Sequence, residues 1–160
     1  MTAYRLAARA YIDDLSGLGA KLFGGRWNPV GCPCIYASQN LSLALLEKYV
    51  HAEFRECMER LALLRIDIPD DDNLVFHVDD RQLKKNWAND IAYTQWIGEQ
   101  ILTDPEIIAF TAPSAIVPSE RNVILNPFAK KFGLVQFLPA VDFSADLRLL
   151  AKLLTRKPTS

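Results

Sequence analysis

The sequence predicts an α+β domain, and three observations carry that prediction. Short apolar or alternating runs of strand length recur along the chain, segments with helical spacing fall between them, and no linker rich in Gly, Pro or Ser divides the 160 residues. At 50% hydrophobic, a chain of this size can bury one sizeable core. A single compact domain over residues 1–155 is expected, with 156–160 as a loose tail.

The elements follow in chain order. The opening stretch around Tyr4 and Arg5 reads as a first, largely apolar strand, on which Arg5 is either a phosphate contact or a residue facing solvent. The segment Phe23-Gly24-Gly25-Arg26-Trp27-Asn28-Pro29-Val30-Gly31 holds three glycines and a proline, which forbid a long regular element and shape a loop. Arg26 in such a loop can present its planar donor fork to a pyrophosphate or carboxylate. The same residues also suit a tight turn whose Trp27 plugs the core while Arg26 stays solvated.

Residues 33–38 read as a buried strand that brings Tyr36 toward a sheet edge. Residues 41–54 read as a helix, with Ser38, Asn40 or Ser42 as caps and Leu41, Ala44, Leu45 and Tyr49 along one face. Glu47 lies inside it among Leu45, Leu46, Tyr49 and Val50, so its carboxylate is either partly desolvated or paired at the surface with Lys48 or His51. Strands are expected at 63–68 and 74–78, on either side of a turn made by Pro69 and an acidic cluster. A helix follows at 90–102, weakened by Gly98, and then strands at 107–111, 115–117 and 134–138. Ser144 can cap a last helix running to residue 154. Trp87, Trp96, Phe128, Phe132 and Phe137 are expected mostly in the core, because aromatic side chains carry so much burial area.

Several chemistries are discounted. Eighteen Lys and Arg against 19 acids leave a net charge of -1, which gives no general attraction for nucleic acid. No apolar run reaches the length of a bilayer span, and the first residues enter a strand-like pattern instead of a leader, so no membrane contact and a cytoplasmic location are expected. Cys32-Pro33-Cys34 is a C-x-C with Cys57 as the only further thiol, which suits reduced cysteines and not a zinc site. Glu47-x-x-x-His51 lacks an evident third ligand, and the acidic runs lack calcium-loop spacing; no metal is expected. Pro118-Ser119-Glu120-Arg121 has no flanking glycines of a nucleophile elbow, so a hydrolase serine is set aside.

The order of the motifs is more specific than any one of them. Tyr4-Arg5, Gly17-Leu18-Gly19-Ala20, Gly25-Arg26-Trp27-Asn28, Tyr36-Ala37-Ser38, Ala44-Leu45-Leu46-Glu47 with His51, Pro118-Ser119 and Asn122-Val123-Ile124-Leu125-Asn126-Pro127 together resemble the RES domain, a family named for its arginine, glutamate and serine. The resemblance implies a fold similar to ADP-ribosyltransferases, with a mixed central sheet flanked by helices. It also implies the toxin of a RES-Xre toxin-antitoxin pair, an enzyme that consumes NAD+ by splitting the nicotinamide-ribose bond and passes the ADP-ribose to phosphate, water or a protein. By that resemblance Arg26, Tyr36, Glu47 and Ser119 are the catalytic candidates, and Arg5, Gly25, Arg26, Trp27, Asn28, Tyr36 and Asn126 contact the dinucleotide. The implied partner is a cognate Xre-type antitoxin that blocks the pocket, in a larger complex within which the toxin is a homo-oligomer. Modification of a cellular protein is the alternative activity. A non-catalytic binding module is a third reading, in which Arg26 and Glu47 would pair with each other and leave no pocket.

Overall fold

A computed structural model of the chain describes residues 1–51, 60–146 and 148. Among these, eight strands join one mixed sheet: β1 (Thr2–Ala8), β2 (Ile35–Ser38), β3 (Leu61–Asp67), β4 (Val75–His77), β5 (Ala109–Pro113), β6 (Arg121–Leu125), β7 (Gln136–Phe137) and β8 (Val141–Phe143). The order across the sheet is β4-β5-β6-β2-β1-β3-β7, with β8 also paired to β3. All pairs are antiparallel except β4 with β5. Among the described residues, the α-helices α1 (Leu18–Phe23), α2 (Leu41–His51) and α3 (Ile91–Leu102) accompany it. This is an α+β architecture with a mixed sheet, as the sequence predicts.

Alternation along the central strands sends side chains to two faces and so builds two cores. Ile35, Ala37, Val123, Leu125 and Ala109 join a cluster with Ala62, Leu64 and Ile66 of β3. Their neighbours Ile124, Phe110 and Ala112 point the other way and pack with Trp27, Cys34 and Leu102, with Ile97 and Ile101 of α3 against them. The loop tryptophan is thus a core residue, 1% exposed, with its ring edge-on to Phe110 at 6.3 Å between centroids.

Strand register sets the position of the site. β1 pairs with β3 along its whole length, Thr2 to Asp67 through Ala8 to Leu61, yet meets β2 at Tyr4↔Ser38. In the other direction β2 runs fully paired with β6, from Ile35↔Leu125 to Ser38↔Asn122. The sheet therefore forks between β1 and β2, and the segment from residue 9 to residue 34, containing α1 and the glycine loop, bridges the fork.

Several boundaries differ from expectation. Residues 115–117 are a bend and not a strand, because Ser114 Oγ accepts the N–H groups of Ile116 and Val117 while Ser114 N donates to Glu120 O; this reverses the chain and lets β6 return along β5. The strand expected at 134–138 is shortened to β7 by a 3-10 turn at Phe132–Leu134. Trp96 and Phe128 are exposed, at 60% and 71%, since α3 turns Thr94, Gly98 and Leu102 inward, and Ala129 is the buried member of the turn after β6. The end of the helix expected at 41–54, and nearly all of the one expected after Ser144, lie outside the described residues.

Candidate active site

A cavity of about 620 Å³ opens in the fork between β1 and β2. Its walls bring together Arg5 of β1, Gly25, Arg26 and Trp27 of the loop, Tyr36 and Ser38 of β2, Glu47 and Lys48 of α2, and Asn122 of β6. Small-molecule and cofactor sites typically occupy about 300–1,000 Å³, so the volume suits a dinucleotide-sized ligand. Among the described residues no His, Cys, Asp and Glu cluster is arranged to hold a metal ion.

The carboxylate end is the most strongly organised part. Ala44, Glu47 and Lys48 follow the three- and four-residue spacing that puts side chains on one helix face, and all three line the cavity. Glu47 Oε1 accepts a hydrogen bond from Asn122 Nδ2 at 2.6 Å and another from Ser114 Oγ at 2.8 Å. Asn122 is itself oriented, because Ser38 Oγ donates to its Oδ1 at 2.7 Å, which leaves the amide nitrogen facing Glu47. The row Ser38↔Asn122↔Ala112 across β2, β6 and β5 delivers these groups side by side. Ser114 stands just beyond the end of β5, where two backbone N–H groups occupy its oxygen and turn its proton toward the carboxylate. The half-buried Glu47 thus sits in charge-assisted hydrogen bonds from neutral donors.

The loop end is held by Tyr36 and Asn28. The Tyr36 hydroxyl donates to Asn28 Oδ1 at 2.7 Å and accepts from Trp27 N at 2.9 Å. Burial pushes its pKa well above the usual phenol range, so it stays neutral. Asn28, fully buried, spends its amide protons on the carbonyls of Ala20, Cys32 and Pro29. A Cβ on Gly25 would stand 2.6 Å from the Tyr36 oxygen, which is why the loop needs glycine there. Arg26 Nη1 donates to Ala88 O at 2.7 Å, with its guanidinium 5.9 Å from the Trp87 ring centroid.

Arg5 differs from Arg26 in its surroundings. Its Nε is buried without a hydrogen-bond partner among the described residues, while its Nη2 donates to Tyr11 O at 3.5 Å. Burial lowers its pKa, against the pull of Asp14, but an arginine stays cationic through shifts of this kind. A partly desolvated arginine in the wall of a cavity is suited to an anionic group.

Arg5, Gly25, Arg26, Trp27, Tyr36 and Glu47 therefore share one cavity wall, while Asn28 supports it from behind. Two candidates lie elsewhere. Ser119 occupies an exposed turn outside the cavity lining, and Ser114 is the serine at Glu47. Asn126 is buried at the far end of β6, where it binds the carbonyls of Leu102, Asp104 and Ile107 and accepts from Phe128 N. The dipeptide Pro-Ser occurs at both 113–114 and 118–119, so the motif alone did not choose between them. A usable signal is position, since Ser114 directly follows the mostly apolar strand Ala109–Pro113 and such ends reach sheet edges.

Comparison with known proteins shows the family and the fold. The RES domain family matches residues 2–146. The chain is similar to proteins named Toxin Res from Photorhabdus laumondii, 40% identical over 94% of this chain and 97% of that protein, and from Yersinia enterocolitica, 33% identical over 93% and 99%. It is also 37% identical, over 75% of its length and 77% of the other's, to a Sphingobium protein named Prs ADP-ribosylating toxin. Its fold resembles a chain in the crystal structure of the M. tuberculosis MbcT-MbcA toxin-antitoxin complex, with a TM-score of 0.74 and 24% identity over 95% of this chain and 87% of that one.

Proposed function

Because this chain belongs to the RES domain family, we propose that it is the toxin of a toxin-antitoxin pair and that its cavity binds NAD+ and cleaves the bond between nicotinamide and ribose. One observation carries the reading: a half-buried carboxylate, Glu47, held by Ser114 and Asn122 in the same cavity as two arginines. NAD+ offers a pyrophosphate for the arginines and a ribose whose C1′ becomes electron-poor as the bond to nicotinamide breaks. The binding-module alternative needs Arg26 and Glu47 to close on each other; instead Arg26 is engaged by Ala88 O, and both residues line an open cavity.

The chemistry assigns the parts. Nicotinamide leaves with the electron pair of the glycosidic bond and becomes neutral, while the ribose ring gains oxocarbenium character and the acceptor's oxygen attacks C1′. Glu47 faces that developing positive charge and accepts a hydrogen bond from a ribose hydroxyl, in a setting drier than bulk water. Arg5 and Arg26, both in the cavity wall, hold the pyrophosphate. Tyr36 acts as a neutral wall and loop anchor, because its hydroxyl already spends its proton on Asn28 and a high pKa keeps that proton in place. Ser114 and Asn122 fix which carboxylate oxygen faces the ligand.

Purified protein incubated with NAD+, with and without inorganic phosphate, is expected to release free nicotinamide; none in either tube would refute the reading. Expressed alone, the wild type is expected to stop growth and Glu47→Ala to be harmless, with a cognate Xre-type antitoxin restoring growth by covering the cavity. A second reading, transfer of ADP-ribose to a cellular protein, is favoured by the 37% identical relative whose name carries that activity. Label from NAD+ appearing on a protein instead of as free ADP-ribose or its phosphate would select it.

A further inference from the structure

We infer that Gln95, on α3 and outside the cavity lining, is a positioning residue that sets the anion-binding pose of the Gly25-Arg26 peptide. The inference rests on the reading of Arg26 as a phosphate contact. Gln95 Nε2 donates to Gly25 O at 2.9 Å across 70 positions of sequence. That oxygen belongs to the same planar unit as the Arg26 N–H, so anchoring it fixes the direction of the amide and the backbone from which the Arg26 side chain departs. In a trans peptide the N–H points opposite to the C=O, hence away from α3.

Three further contacts make this bond a locking point. One turn along α3, Gly98 packs so closely on the loop that an added Cβ would fall 1.7 Å from Trp27 O. Gly25 N donates to Asn28 O at 2.9 Å, pinning the other side of the same glycine. Arg26 Nη1 reaches Ala88 O in the turn that leads into α3. Without the Gln95 bond, Gly25 is the residue with the conformational freedom to rotate its carbonyl, since it lacks a Cβ. Gln95 thereby acts on the cavity through the loop backbone, not by touching ligand.

The test uses Gln95→Met, which keeps shape and loses the donor, and Gln95→Glu, which sets an acceptor against the carbonyl. Binding of inorganic pyrophosphate is measured by calorimetry, and KM and kcat are measured with NAD+. Gln95→Met is expected to weaken pyrophosphate binding and raise KM together by about 3- to 10-fold, the factor carried by one neutral hydrogen bond, with kcat within about twofold. Gln95→Glu is expected to do more of the same, and both variants to keep the wild-type circular dichroism. Unchanged affinity and KM in either folded variant overturns the inference, as does a wild type that binds no pyrophosphate. A wild type that binds pyrophosphate in a Gln95-dependent way but leaves NAD+ intact would refute the proposed function and uphold this role.

Discussion

At the residue scale, what matters at Glu47 is the number of donors aimed at one oxygen. Asn122 and Ser114 both meet Oε1, so replacing the carboxylate by an amide removes the charge and sets an amide group among N–H and O–H donors. Glu47→Gln is expected to lower the rate of nicotinamide release by about 10²- to 10³-fold, the usual cost of losing one such electrostatic contact. The two serines give a sharper test. Ser114→Ala deletes a hydrogen bond to a charged group and is expected to reduce kcat about 10- to 100-fold, whereas Ser119→Ala, in an exposed turn, is expected to leave kcat and KM within about twofold. Equal effects of the two, read by steady-state kinetics, would remove Ser114 from the site. The sequence offered both serines with the same preceding proline, and the hydrogen-bonded reversal at residues 114–120 is what separates them.

At the scale of elements, the glycine loop was legible and its anchoring was not. Gly24, Gly25, Gly31 and Pro29 announce an irregular segment, but that Tyr36 and Asn28 hold it from one side and α3 from the other depends on contacts between residues far apart in the chain. Gly98 shows the gap clearly. As a helix residue it reads as a weak point, yet it is the place where α3 meets Trp27 O. Gly98→Ala is therefore expected to destabilise the protein by about 1–3 kcal/mol by overpacking, despite alanine's better helix propensity. Chemical denaturation measures it; a stabilised variant would contradict the packing described. Helix α1 and strands β6 and β8 were not anticipated at all. β6 lies under the Asn122 to Leu125 run, whose value as a family motif hid its plain reading as a strand.

At the scale of the whole molecule, buried protonated groups beside the cavity tie stability to alkaline pH. Burial pushes the Cys34 thiol up to about 12 and Tyr36 in the same direction, so the folded state holds these protons more tightly than the unfolded chain does. Their contribution is fully present below the unfolded pKa values and is lost as pH rises, from roughly 8.5 for the thiol and roughly 10 for the phenol. Unfolding free energy is expected to fall by up to about 1.4 kcal/mol per pH unit for each group above those points. Cys34→Ala should flatten the first part of that decline in denaturation measured between pH 8 and pH 11, and an identical slope in the variant would refute the assignment. The same protonation makes Cys34 a poor nucleophile at neutral pH although it lines the cavity.

The sequence by itself determined the α+β class, the positions of most strands, the helices at Glu47 and at Gly98, and the family through an ordered set of motifs. These are local matters, fixed by residue spacing and by what glycine and proline permit. Tertiary structure alone decided which serine meets the carboxylate, that Asn126 braces the turn after α3, that Arg5 is half-buried in the cavity wall, and that α3 reaches the loop. Each of those depends on tertiary contacts: at the site, groups 67 and 70 positions apart come within hydrogen-bonding distance, and a linear pattern holds no record of such distances.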